Sequence, residues 1–177
     1  MKENKMIIFL MILTVLCLFF DRDVTSAEDH LSSFSLKVGY SSTDKEIHYW
    51  LGSTVKLTQT DTLYFGQVIY ISPLSFNDYQ GAMAYFGFTF GITFLDDIHA
   101  GLLLGAIGGG AMNSSKSFTG GANFVIEPGI SYQYDLSTST KIGFSLSYLY
   151  VPILSPSDTF FKNTSQTCFA IDLYMPI

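Results

Sequence analysis

The chain has 177 residues, 48% of them hydrophobic and only 14% charged, where soluble globular proteins carry about a quarter. Fifteen acidic residues against nine basic ones leave a formal charge of -6, which argues against the basic surface of a nucleic-acid binder. Two cysteines exclude a disulfide scaffold, and the length suits one domain.

Lys2 and Lys5 precede an apolar run from Met6 to Phe20 that only Thr14 interrupts, and Thr25-Ser26-Ala27 follows before Glu28. A basic start, an apolar core and small residues at its end predict a secretory signal peptide over 1–27, cut after Ala27. The run falls short of the roughly 20 residues that a helical span needs. Residues 28–177 then form the mature domain, with Cys168 as its one cysteine.

Beyond the leader the dominant signal is a period of two, the mark of a strand with two unlike faces. Segment 33–42 sets Phe34, Leu36, Val38 and Tyr40 against Ser35, Lys37, Gly39 and Ser41. Segment 47–58 sets Ile47, Tyr49, Leu51, Val55 and Leu57 against His48, Gly52, Thr54 and Lys56, with Trp50 and Ser53 blurring the pattern. Segment 62–72 carries Leu63, Phe65, Ile69 and Ile71, and 81–95 carries Phe86, Phe88, Phe90, Ile92 and Phe94. The glycine-rich segment 98–110 keeps Leu102 and Leu104 on one side. Segments 121–135, 140–151 and 166–177 continue the alternation, the last through Phe169, Ile171, Leu173, Met175 and Ile177.

Eight such segments, mostly of 10 to 15 residues, exceed the usual strand of five or six and match the 9–11 that a tilted membrane strand needs. A sheet spans hydrocarbon only when closed, because every backbone group must be paired there. The pattern predicts an all-β fold, a closed antiparallel eight-stranded transmembrane β-barrel. A secreted soluble β-barrel that binds a ligand is the alternative, and it would turn its apolar face inward. Connections at 43–46, 73–80, 111–120 and 152–165 alternate with shorter ones near 59–61, 96–97 and 136–139. That parity predicts four loops outward and both mature termini periplasmic in a bacterial outer membrane.

Eight strands enclose a bore that side chains can fill, and Tyr85, Leu103, Val125 and Leu149 fall on the inward rows. So do Lys37, Lys56, Glu127 and Asp172, and buried charges must be paired or hydrated. The expectation is an internal cluster in which Glu127 and Asp172 neutralise Lys37 and Lys56. Tyr40, Tyr49, Tyr132, Tyr134, Tyr148 and Tyr150 lie near strand ends, where amphipathic rings favour the headgroup level. His30, His48 and His99 fall at separate places and should not converge on a metal. No catalytic constellation, cofactor or metal is expected. Phe160 and Phe161 mark the last long connection as a candidate surface for interaction.

The layout over 33–177, closing with the strand FAIDLYMPI, resembles the small outer-membrane barrels of the OmpA/OmpX-like class. Phe169, Ile171, Leu173 and Met175 fit the alternation of such closing strands, while Ile177 departs from their usual terminal Phe and Pro176 is unusual there. The resemblance implies outer-membrane lipid as surroundings and the barrel-assembly machinery as reader of that strand. Members differ in what they do, so the fold leaves a non-enzymatic structural or surface-interaction role beside a narrow transport barrel for small or apolar solutes.

Overall fold

A computed structural model describes residues 31–43, 45–60, 62–76, 78–95, 97–152 and 165–176. The expected leader and the Phe160–Phe161 pair lie outside the described residues. The strands are β1 (Leu31–Ser41), β2 (Glu46–Gln59), β3 (Leu63–Phe76), β4 (Tyr79–Phe94), β5 (Ile98–Met112), β6 (Phe118–Asp135), β7 (Lys141–Leu149) and β8 (Gln166–Pro176). Each pairs antiparallel with its chain neighbour, and β8 returns to β1, so the sheet is a closed barrel.

The pairing is staggered. A path from Val125 through Gly105, Gly87, Val68, Thr54, Ser33, Tyr174 and Lys141 returns to β6 at Asp135, ten positions along from 125 to 135. Such a shear requires strands tilted strongly to the barrel axis.

Alternation sets which side is which. Phe34, Leu36, Leu51, Phe88, Leu104, Ile130, Phe144 and Ile171 are exposed on the outer surface, while their sequence neighbours point into the bore. An outer surface this apolar over a closed sheet suits hydrocarbon and excludes a soluble barrel. Tyr40, Tyr49, Tyr132, Tyr134, Tyr148 and Tyr150 are also exposed outside, at the strand ends where ring and hydroxyl meet the interface.

Segment 73–80 is not a loop. β3 runs to Phe76 and β4 starts at Tyr79, with Leu74 paired to Gly81 and Ser75 to Gln80. The segment lacks a clean alternation, with Ser75, Asn77, Asp78 and Gln80 among Leu74, Phe76 and Tyr79, and it contains Pro73, yet a hairpin outside hydrocarbon needs no apolar face, and its backbone pairs regardless of its side chains. The connection after β5 likewise shortens to 113–117. Contrary to the expected parity, connection length separates the two ends of the barrel only through the stretch between β7 and β8. What distinguishes that end is strand length: β3 to β6 have 14 to 18 residues, against 9 for β7 and 11 for β8 and β1.

Candidate functional site

The bore is stratified. Toward the end that carries the β7–β8 connection it is filled by Trp50, Met83, Ile107, Val125, Leu149, Val151 and Cys168, all nearly inaccessible. Trp50 packs edge-on to Tyr85 at 5.1 Å between centroids, and Tyr85 stacks on Tyr70 at 5.0 Å. The Trp50 indole N–H donates to Gln166 Oε1 at 3.4 Å.

Beneath this layer lies the ion pair. Lys37 Nζ donates to Glu127 Oε1 at 2.6 Å, and both side chains are buried. Glu127 Oε1 also accepts from Ser147 Oγ at 2.5 Å, and its Oε2 accepts from the Tyr85 hydroxyl at 2.9 Å. Lys37 Nζ donates to Tyr85 Oη at 2.6 Å and stands 4.0 Å above the centre of the Tyr70 ring. A charge removed from water is tolerable when its hydrogen-bonding capacity is met in this way. Beside it the Tyr70 hydroxyl donates to Ser35 Oγ at 2.8 Å, and Ser35 in turn donates to the Asp172 carboxylate.

The structure thus joins Lys37 to Glu127 directly and holds Asp172 through Ser35. Lys56 and Asp172 share the wall of one cavity, and Lys56 Nζ lies 5.4 and 5.2 Å from the ring centres of Tyr64 and Tyr174. This cavity, about 120 Å³, fills the other half of the bore, and Gln133, His99 and Ser131 also line it. His99 is buried, and its Nδ1 is 2.8 Å from Thr93 Oγ1. A polar space of that size accommodates a few water molecules.

Glycines make room for the large interior rings. A Cβ on Gly91 would lie 2.3 Å from the Tyr64 ring, and one on Gly52 would lie 2.3 Å from Tyr70. Both rings therefore lie flat against a neighbouring strand.

Sequence reasoning missed Trp50 and Tyr70 as members of the interior, and it placed Ser35 and Ser147 on inward rows without giving either a role. Trp50 stands on the same row as His48 and Gly52, so parity alone places it inward; its bulk disguised this as a break in the pattern. No local signal marks Ser35 or Ser147 apart from the other serines on polar rows. Their roles arise from which strands face each other across the bore. Among the described residues no group of His, Cys, Asp and Glu is arranged to hold a metal ion.

No family model matches the chain, and no curated protein matches it. Among solved structures the chain is similar to neisserial surface protein A, with 11% identity over 84% of this chain and 96% of the other, at a TM-score of 0.55. It is also similar to the N-terminal β-barrel domain of OprF from Pseudomonas aeruginosa, with 9% identity over 85% and 98% and a TM-score of 0.53. These likenesses concern the fold, which is that of the small eight-stranded outer-membrane barrels.

Proposed function

We propose that the protein is a plugged, non-enzymatic barrel of the bacterial outer membrane, with a structural or surface-interaction role. The observation that carries this reading is the closure of the bore by the Trp50–Tyr85 contact above the Lys37–Glu127 pair. A solute crossing the barrel would have to displace a buried indole and separate a buried ion pair. The polar cavity beyond them is blind, which disfavours the transport alternative.

In this reading the end with the β7–β8 connection faces outward and both mature termini are periplasmic. The long stretch between Leu149 and Gln166 supports that orientation, since outer loops exceed periplasmic turns in length. Barrel-assembly machinery takes β8 as its signal, and the outward row Phe169, Ile171, Leu173 and Met175 of β8 supports this.

Planar-bilayer recording of the refolded protein tests the plug. The wild type should show no reproducible conductance, whereas the double substitution Trp50→Ala and Tyr85→Ala should open one. Steady conductance by the unaltered chain would overturn the closed-bore reading.

A further inference from the structure

Proline within a sheet is ordinarily confined to an edge or a strand end, because it has no N–H to give to the ladder. Pro73 follows the last β2–β3 pair, and Pro176 ends β8. Pro128 is placed differently. It stands inside β6, opposite Leu102 of β5, with β7 running along its other side.

The β6–β7 ladder continues from Asp135–Lys141 to Gly129–Ser147, omits Pro128–Tyr148 and Glu127–Leu149, and resumes at a single bridge, Ile126–Tyr150. At that bridge Ile126 N–H donates to Tyr150 O at 3.0 Å, and Tyr150 N–H donates to Ile126 O at 2.8 Å. Hydrogen-bonded pairs alternate with non-hydrogen-bonded ones in an antiparallel ladder. Pro128–Tyr148 is therefore a pair at which β6 should donate an N–H to β7. Proline cannot, whatever lies nearby. Between the Ile126–Tyr150 and Ile130–Leu146 pairs, the pattern leaves one hydrogen bond, from Tyr148 N–H to Pro128 O.

The two sides of this gap differ sharply. On the outside Leu102, Ile126, Ile130 and Leu146 are exposed around Pro128, so the Tyr148 carbonyl borders hydrocarbon, where an unmet backbone group is costly. On the inside the facing pairs are Gly129–Ser147 and Ser131–Ser145, and all four residues line the polar cavity. Elsewhere the cavity wall carries Tyr64, Tyr70, His99, Leu103 and Tyr174. Behind Pro128 little more than main chain separates polar space from lipid.

We infer that the β6–β7 wall at Pro128 is a lateral opening through which a single-chain, hydroxyl-bearing amphiphile of the membrane places its head in the cavity. Parting the strands there breaks one hydrogen bond, and the head supplies the donor that the Tyr148 carbonyl lacks. Ser131, Ser145 and Gln133 offer its other hydroxyls donors and acceptors, in place of the few water molecules that fit the cavity. The chain stays outside, along Ile130 and Leu146. Because the opening lies below the Trp50–Tyr85 contact, the cavity stays blind along the barrel axis. The inference goes beyond the plugged-barrel reading and does not require the plug.

The test uses the full mature chain folded into phosphatidylcholine nanodiscs that contain a monoacylglycerol with a diazirine on its glycerol. After irradiation, mass spectrometry should find adducts on the inward residues Gly129, Ser131, Ser145 and Ser147. Pro128→Val supplies the missing N–H and should lose most of this inner-row labelling. The paired substitutions Ser131→Cys and Ser145→Cys occupy a non-hydrogen-bonded pair, whose short Cα separation suits a disulfide. Oxidation should abolish the inner labelling, and reduction should restore it. A second probe with the diazirine at the end of its chain should label the outer rows in every variant, which reports membrane insertion. The heat-dependent electrophoretic shift checks that each variant is folded.

Absence of inner-row adducts in the unaltered chain overturns the inference. So does inner labelling that persists after oxidation of the cysteine pair or in Pro128→Val, since the head would then enter by the end of the barrel. Either variant alone decides the route if the other does not fold. Conductance of the unaltered chain would remove the plug and leave this lateral route to be judged by the adducts.

Discussion

Lys37 on β1 and Glu127 on β6 are 90 positions apart in the chain and meet at 2.6 Å in the middle of the bore. Through Tyr85 on β4 and Ser147 on β7 the same carboxylate ties four strands together. Removing one member of such a pair leaves the other charged, buried and alone, which costs about 3–5 kcal/mol. Glu127→Ala should therefore lower the unfolding temperature of the barrel markedly. Replacing both partners, as Lys37→Met with Glu127→Leu, should cost far less, because no unpaired charge remains. Equilibrium unfolding of the folded barrel in urea distinguishes the two, and an unchanged stability in Glu127→Ala would remove the pair from any stabilising role.

The outer face should reject charge where the inner face accepts it. Leu104 on β5 is exposed outside, beside Phe88 on β4 and Ile126 on β6. A lysine or arginine on the lipid face near the bilayer midplane costs about 2–4 kcal/mol. Leu104→Arg should lose that much in lipid vesicles and much less in a detergent micelle, which deforms around the charge. Equal loss in both media would mean that Leu104 does not face hydrocarbon.

Tyr64 and Gly91 form a ring-on-backbone contact in which a Cβ has no space. Gly91→Ala should destabilise the barrel by about 1–3 kcal/mol, the usual range for overpacking. In a Tyr64→Ala background the same substitution should be nearly neutral. A double-mutant cycle measures the coupling directly, and additive effects would show that the ring moves aside freely.

Leu95 has a left-handed φ of 61° in the turn between β4 and β5 and is the most exposed large hydrophobic among the described residues. For a residue with a bulky side chain that conformation costs about 1–2 kcal/mol, whereas asparagine tolerates it. Leu95→Asn should raise the urea midpoint without altering the electrophoretic shift. A lowered midpoint would mean that the leucine makes a compensating contact.

Much of the architecture was legible in the sequence because a membrane barrel imposes a local rule. Each strand crossing hydrocarbon must show an apolar residue at every second position, so Phe86-x-Phe88-x-Phe90-x-Ile92-x-Phe94 identifies both a strand and its lipid face. The rule lapses where β3 and β4 leave the bilayer, which is why 73–80 resembles a loop although its backbone pairs through Phe76 and Tyr79. It also says nothing about height within the bore.

The sequence by itself therefore determined the number of strands, their lipid-facing rows and the inward placement of Lys37, Lys56, Glu127 and Asp172, since alternation is a property of neighbouring residues. Only the tertiary structure decided that Lys37 meets Glu127, that Ser35 holds Asp172 and that Tyr70 reaches Ser35. Those relationships depend on the stagger accumulated around the closed sheet. Each strand's register adds to that of the last, and no single segment carries the sum.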